Sequence, residues 1–147
     1  MFVDSILPNA RERLALIAQD APLMEAARFL SSASINLVVV HKADGTLAGV
    51  ISKTDVVRQI GHCAGNSCVT AASAVMTREV VACHPGESLT EVWATMKKRG
   101  LKHIPVIDEQ SHPIGVLYAR DALQVLLVEV EYEELLLRDY VMGIGYQ

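Results

Sequence analysis

Ser52 and Asp55 are residues whose types and spacing can do chemistry. A carboxylate can accept hydrogen bonds from two neighbouring hydroxyl groups, so Asp55 is suited to bind the diol of a ribose. A hydroxyl at a helix N-terminus, together with nearby backbone N–H groups, can bind an anionic group, and we predict this role for Ser52. The same pair can also serve only as a helix cap, because Ser followed three residues later by an acid is close to a capping box.

Lys102 and His103 form a second polar pair that can face the phosphates of a ligand. We assign the cations at 97–99 instead to the last turn of a helix, where positive charge is favourable. An enzyme would need a nucleophile with a base, a pair of acids or a metal constellation. The sequence contains no Gly-x-Ser-x-Gly motif and no phosphate-loop glycine pattern. We therefore expect a protein that is not an enzyme.

Cysteines and histidines between positions 62 and 84 are the candidates for a metal site. The spacing of Cys63 and Cys68, within a glycine-containing loop and without a second pair, fits zinc ligands poorly. We predict no metal and favour reduced thiols. Three cysteines, an odd number, in a chain with no apparent export signal argue against a disulfide framework and for a cytoplasmic location.

The charge of the chain excludes some classes of partner. It has 17 acidic and 13 basic side chains, a net charge of -4, so no overall positive field is present to hold a phosphate backbone. Apolar stretches such as Leu37 to Val40 are far shorter than the roughly 20 residues of a membrane-spanning helix. We expect no binding to nucleic acid or to a membrane.

The elements that must position these residues occur twice. Shifting the sequence by 66 residues aligns two segments without a gap. The identities are Leu23 with Leu89, Glu25 with Glu91, Val40 with Val106, Gly49 with Gly115, Val50 with Val116 and Asp55 with Asp121. Because apolar class and turn position are kept between them, the pattern indicates two copies of one supersecondary unit.

Each copy has the pattern of a helix, a hairpin and a second helix. Apolar spacing predicts a helix over about 22–33, with Pro22 in its first turn. The runs Val38–Val40 and Leu47–Ile51, around Asp44-Gly45, predict a hairpin, after which Ser52 opens a helix. The second copy repeats this over 87–99, 104–107 and 114–117, with a helix from near Tyr118. Residues 61–70 are typical of a linker.

A unit of this size buries only part of its apolar face, so the two copies should pack sheet against sheet. We predict an α/β (α+β) fold with two small sheets and flanking helices related by a pseudo-twofold axis. The first unit is predicted at residues 1–65, the second at 66–135, and a C-terminal helical extension at 136–147. A ligand cleft is expected between the units, because pockets form preferentially at such interfaces.

The residues from Gly49 to Asp55 resemble the Gly-x-x-Ser/Thr-x-x-Asp motif of the cystathionine-β-synthase (CBS) domain family. The second copy keeps Gly115 and Asp121 but has Tyr118 where the motif has Ser or Thr. Residues 99–108 are similar to the helix-to-strand passage of that family, and 75–83 resemble the start of a second motif. The resemblance recurs twice, covers nearly the whole chain and implies a stand-alone tandem CBS pair.

The resemblance also implies two clefts for an adenosyl ligand such as AMP, ADP, ATP or S-adenosylmethionine. Each cleft combines the motif of one copy with early strands of the other. The first would use Ser52, Thr54 and Asp55 with Val81, Lys102, His103 and Ile104. The second would use Tyr118, Arg120 and Asp121 with Ala15, Asn36 and Leu37. We expect no cation for phosphate opposite Asp121, and the Tyr118 ring can either stack on adenine or fill the pocket. We therefore favour the Asp55 cleft if only one is used.

Such a pair implies a regulatory module that modulates a protein partner. The alternative is a purely structural dimerisation module with vestigial clefts. Its support is a stripe on the predicted C-terminal helix, formed by Leu123, Leu126, Leu127, Val130 and Leu137. The stripe can pack on its own core or on a second copy, and we expect a closed twofold homodimer.

Overall fold

The computed structural model describes residues 1–62 and 69–145, the last four of these by their backbone only. In chain order the elements are a 3₁₀ turn (Val3–Ile6), α1 (Leu7–Glu12), β1 (Leu16–Ala18), α2 (Leu23–Leu30), β2 (Leu37–His41), β3 (Leu47–Ser52), α3 (Lys53–His62), α4 (Ala72–Val75), α5 (Leu89–Arg99), β4 (His103–Ile107), β5 (Pro113–Tyr118) and α6 (Ala119–Gly145). Of the predicted linker, residues 63–68 lie outside the described residues, and α3 includes its first two positions.

The strands form two small sheets with one pairing scheme. In the first sheet β2 is parallel to β1 and antiparallel to β3, and in the second β4 is antiparallel to β5. The pairs Leu37–Ser52, Val38–Ile51, Val39–Val50, Val40–Gly49 and His41–Leu47 correspond, 66 residues later, to His103–Tyr118, Ile104–Leu117, Pro105–Val116, Val106–Gly115 and Ile107–Pro113. The sequence repeat is therefore a structural repeat, and the predicted mixed fold with two small sheets is confirmed.

Helix α2 is shorter than the sequence predicts. Pro22 is extended and precedes the helix, so its predicted place in the first turn is wrong. The helix ends at Leu30 because the serines that follow bond locally: Ser31 Oγ donates to the Arg28 carbonyl at 2.6 Å, and Ser34 N–H donates to Ser32 Oγ at 3.4 Å. Such side-chain bonds compete with helical bonds of the backbone.

Helix α5 starts two residues later than predicted and has defined caps. Ser88 precedes the helix, and its Oγ accepts a hydrogen bond from the Glu91 N–H at 3.4 Å. Gly100 ends the helix in the left-handed region, at φ 68°, where glycine is favoured. The chain can therefore turn directly from α5 toward β4.

The two repeats exchange their leading segments: the segment that precedes each repeat in the chain packs into the core of the other repeat. Val3, Ile6 and Ala10, from the start of the chain, belong to the buried cluster of the second repeat. Ala72 and Met76, which lie just before the second repeat, belong to the buried cluster of the first. Each hydrophobic core is therefore completed by residues that precede the other repeat.

The glycine of each motif permits this exchange. A Cβ on Gly49 would lie 2.6 Å from the Thr77 carbonyl oxygen and 2.8 Å from Met76 Sδ. A Cβ on Gly115 would lie 3.0 Å from the carbonyl carbon and Cβ of Ala10. Close approach of a segment from the other repeat thus requires glycine at position 49 and favours it at position 115.

The two sheets meet in a third buried cluster. Leu37 and Val39 from β2 pack with Val116 and Tyr118 from β5, and all four are almost fully buried. The predicted packing of sheet against sheet is confirmed by this cluster. Val116 and Tyr118 belong to the second motif, and Val50 of the first motif packs against the cluster, so both motifs border this interface.

Helix α6 is one continuous helix of 27 residues, about 40 Å long at 1.5 Å per residue. The predicted boundary at 135 falls within it. Its later part exposes Leu127, Val130, Leu137 and Val141, each more than half accessible. No helix in residues 1–62 and 69–145 combines the length and apolar character needed to cross a bilayer.

Candidate functional site

Ser52 and Asp55 form a reciprocal cap at the start of α3. Oδ2 of Asp55 accepts hydrogen bonds from Ser52 N–H at 2.9 Å and from Ser52 Oγ at 3.1 Å. Ser52 Oγ in turn accepts the Asp55 N–H at 3.3 Å. Oδ1 approaches Arg58 Nη1 at 3.5 Å, the limit of a hydrogen bond. The capping role is therefore present, and Oδ1 is weakly engaged and can accept further hydrogen bonds.

Asp55 borders a cavity of about 380 Å³ between the repeats. Of the residues predicted for the first cleft, the lining includes Ser52, Asp55, Val81, Lys102, His103 and Ile104. It also includes residues that the prediction missed: Leu37, Val50, Thr77, Glu79, Val80, Gly100, Leu101 and Pro105. Leu37, which was predicted for the second cleft, thus borders the first. The structure brings the polar motif of one repeat against a lining from the other repeat that combines apolar side chains with Glu79, Lys102 and His103.

A larger cavity of about 780 Å³ shares Ser52, Lys102 and His103 with the smaller one. Its remaining described lining is Asn36, Lys53, Thr54, Trp93, Tyr118, Ala119, Arg120 and Leu123. Thr54, predicted beside Asp55, lies here, as do Asn36, Tyr118 and Arg120, which were predicted for the second cleft. Residues assigned to both clefts therefore line this one cavity, whereas Asp121 and Ala15 are not among the described lining residues of either cavity.

The larger cavity has a positive lining. Among its described lining residues Lys53, Lys102 and Arg120 are cations, and none is a carboxylate. Lys53 and Arg120 lie in the first turns of α3 and α6, so the positive ends of two helix dipoles also border the space. This arrangement favours an anionic group. The sequence contained a signal for it, since both cations directly follow the predicted helix starts.

His103 lines both cavities. Burial lowers the pKa of its imidazole below the usual 6.5, and the nearby positive charges of Lys102, Arg120 and Arg13 lower it further, against an opposing effect of Asp121. Its ring meets the Tyr118 ring edge-on, with centroids 4.5 Å apart. Burial and the neighbouring cations therefore favour the neutral imidazole.

The surroundings of Asp121 contradict the expectation that no cation lies opposite it. Arg13 donates from Nε to Oδ2 and from Nη2 to Oδ1, both at 3.1 Å. The guanidinium carbon also lies 4.5 Å from the centroid of the Tyr118 ring. The pair joins residues 108 positions apart, which the local sequence pattern does not indicate. Ala15, another residue predicted for this cleft, is buried in the core of the first repeat.

The predicted absence of a metal concerns residues partly outside the described ranges. Cys63 and Cys68 lie there, whereas Cys83 is buried. Burial raises the pKa of the Cys83 thiol to about 12, with Glu87 adding to the effect, so the thiolate that binds metals is disfavoured. Within residues 1–62 and 69–145, no three His, Cys, Asp or Glu side chains converge as metal ligands.

Comparison with known proteins agrees with this arrangement. A family model described as the CBS domain matches residues 4–62 and 72–128. The chain belongs to the CBS-domain family. A homoserine O-acetyltransferase from Methanocorpusculum labreanum is 27% identical over 101 residues, which are 69% of this chain and 20% of that protein. The chain thus spans about a fifth of the length of this enzyme.

Solved structures share the fold over most of their length. A CBS-domain protein from Agrobacterium tumefaciens is 25% identical, with a TM-score of 0.69 over 84% of this chain and 97% of that one. A CBS domain pair in complex with 5-methylthioadenosine and S-adenosyl-L-methionine is 22% identical, with a TM-score of 0.71 over 88% of this chain and 98% of that one. The tandem arrangement of two CBS motifs is therefore confirmed.

Proposed function

We propose that this chain is a regulatory sensor that binds an adenosyl ligand in the Asp55 cleft and thereby modulates a protein partner. The observation that carries the proposal is the pair of cavities between the repeats that share Ser52, Lys102 and His103 in their linings. Two carboxylates, those of Asp55 and Glu79, border the smaller cavity, and three cations with no described carboxylate border the larger one. This division matches a ligand with a diol at one end and negative charge at the other.

The proposed pose follows from the lining chemistry. The ribose diol donates to Asp55, whose Oδ1 is weakly engaged. The adenine lies between the apolar side chains of Leu37, Val81 and Ile104 in the smaller cavity. Phosphate groups extend past His103 toward the positive lining of the larger cavity. A charged site of this kind forms stronger hydrogen bonds than neutral partners do.

The positive lining also distinguishes among adenosyl ligands. S-Adenosylmethionine carries a sulfonium at the ribose carbon where a nucleotide carries its first phosphate. The cations Lys53, Lys102 and Arg120 repel a sulfonium and attract a phosphate. We therefore propose that AMP, ADP and ATP are preferred over S-adenosylmethionine, although a protein of the same fold is solved with the latter.

Calorimetric titration of nucleotide-stripped protein with AMP, ATP and S-adenosylmethionine tests the proposal. We expect both nucleotides to bind more tightly than S-adenosylmethionine, with an affinity that falls as salt screens the cations. Equal affinity for all three would contradict the proposed role of the larger cavity. No binding of any of them would contradict the sensor function and favour the structural alternative.

The second candidate is a dimerisation module, and the exposed apolar residues of α6 favour it. Leu123, Leu126 and Val130 also border a groove of about 370 Å³ beside Thr90 and Trp93. A homodimer that covers this surface is compatible with the sensor function as well. Light scattering at high micromolar concentration should report about twice the 16.0 kDa of one chain. A species of monomer mass would contradict the dimer. Cytoplasmic location and absence of nucleic-acid and membrane binding stay predictions.

A further inference from the structure

The two CBS motifs differ at positions that surround equivalent carboxylates. With the 66-residue shift, Asp121 corresponds to Asp55 and Tyr118 to Ser52. The same shift places Arg13 at the position of Glu79. Glu79 borders the smaller cavity beside Asp55 and is exposed. The first cleft therefore has an acid where the second has a guanidinium.

The Arg13 guanidinium makes contacts through all three of its nitrogen atoms and through one face. Nε and Nη2 form the fork to Asp121, and Nη1 donates to the Ser34 carbonyl at 3.1 Å. Its flat face covers the Tyr118 ring, and the Tyr118 hydroxyl accepts from Asn36 N–H at 2.8 Å and donates to the Ser34 carbonyl at 3.2 Å. The side chains of Arg13 and Asp121 are only 17% and 11% exposed.

Arg13 occupies the Asp121 carboxylate and a face of the Tyr118 ring, which are the groups that a nucleoside bound here would contact. Two parallel N–H donors on a carboxylate occupy the same acceptor sites as two ribose hydroxyls. A guanidinium over an aromatic ring occupies the face on which an adenine would stack. The first cleft has no equivalent obstruction, since Glu79 carries the same charge as Asp55 and cannot pair with it.

The backbone holds Arg13 in this position. It follows α1 directly, and its N–H donates to the Ala10 carbonyl at 3.2 Å. Ala10 is fully buried and lies where Gly115 permits close approach to β5. The arginine is therefore tethered beside Asp121, and a tethered group competes at high effective concentration with a free ligand.

We propose that Arg13 is a built-in occupant of the second cleft, which excludes adenosyl ligands there and limits the chain to one ligand. The inference rests on the proposed adenosyl-binding function. It assigns a specificity-determining role to a residue outside the CBS motif. Removal of the guanidinium opens the cleft beside Asp121, and addition of one at Glu79 closes the cleft beside Asp55.

The first experiment counts sites. Adenosine and AMP are titrated calorimetrically into the wild type, Arg13→Ala and Arg13→Ala combined with Tyr118→Ser, after circular dichroism has established that each is folded. We expect one site per chain in the wild type and two in the double variant. Two sites in the wild type, or a folded double variant with no more sites than the wild type, would overturn the role of Arg13.

Other outcomes separate this inference from the function on which it rests. Binding by the double variant but not by the wild type would support the role of Arg13 and contradict the use of the Asp55 cleft. Absence of binding in both proteins would overturn both proposals, because neither cleft would then accept an adenosyl ligand.

The reciprocal experiment does not depend on removing a buried charge. Glu79→Arg changes an exposed side chain and supplies a guanidinium beside Asp55, with Glu79→Gln as the control that removes the acid alone. Adenosine is the probe, since it is neutral and its binding is not favoured by added positive charge. We expect an affinity loss of about tenfold or more for Glu79→Arg relative to Glu79→Gln. Equal affinity of the two folded variants would overturn the inference.

Discussion

The two CBS motifs of this molecule contain equivalent carboxylates in opposite surroundings. Asp55 is bonded to its own helix start and borders an open cavity. Asp121 is paired with an arginine from the start of the chain and is almost fully buried. Repetition of a motif therefore does not repeat its surroundings: one carboxylate borders a cavity, and the other is paired with an arginine inside the fold. Four variant comparisons can break or sharpen this contrast.

The largest expected effect is on stability. Asp121→Ala leaves Arg13 largely buried and unpaired, and loss of one partner of such a pair costs about 3 kcal/mol or more. Asp55→Ala loses a helix cap, which costs about 1 kcal/mol. Urea denaturation followed by circular dichroism measures both. Equal loss of stability in the two variants would contradict the structural role of Asp121.

For ligand affinity we expect the opposite order, with a larger effect of Asp55→Ala than of Asp121→Ala. Asp55→Ala removes charge-assisted hydrogen bonds to the ribose worth roughly 1.5–3 kcal/mol, or about one to two decades in affinity. Asp121→Ala should weaken binding far less, since its carboxylate is already occupied. Titration with AMP, after both variants show wild-type circular dichroism, makes the comparison. If Asp55→Ala bound every adenosyl ligand with wild-type affinity, the assignment of the ligand site to Asp55 would be contradicted.

The two motif glycines provide a smaller contrast. A Cβ at position 49 meets a backbone carbonyl at 2.6 Å, whereas at position 115 the nearest atoms are at 3.0 Å. Overpacking of this kind costs about 1–3 kcal/mol, and we expect Gly49→Ala to lie nearer the upper value than Gly115→Ala. Thermal unfolding of the two variants checks the order, which would be wrong if Gly115→Ala were the less stable.

The smallest effect concerns pH. Folding lowers the pKa of His103 below the usual value of 6.5. Between these two pKa values, the unfolded chain therefore binds more protons at this residue than the folded chain does. Stability should therefore decrease as pH falls through 6.5 toward the folded pKa, by at most about 1.4 kcal/mol per pH unit for one proton. His103→Leu, which matches Leu37 of the first repeat, should flatten the urea midpoint between pH 7 and 5 relative to the wild type. Parallel profiles would contradict this role of His103.

The sequence predicted what depends on local pattern. The hairpins followed from β-branched runs around a tight turn, and Ser52 with Asp55 were found because a cap and a motif lie within four residues. The exchange of leading segments was not predicted, since helices of six and four residues have too little periodicity to reveal their partners. Arg13 and Asp121 are joined only by the fold. The 66-residue alignment, extended toward the N-terminus, places Arg13 at the position of Glu79. This difference in charge between the two repeats is a signal that the sequence contains.

Helix α6 connects the candidate site with a distant part of the protein surface. Its first residues, Ala119 and Arg120, border the larger cavity, and the same helix continues without a break for about 40 Å. By simple trigonometry on that length, a tilt of about 5° at the cavity displaces the far end by about 3.5 Å. One helix therefore joins the lining of the cavity to the exposed Leu127, Leu136 and Leu137. Any tilt of this helix about its first turn would be larger at those leucines than at the cavity.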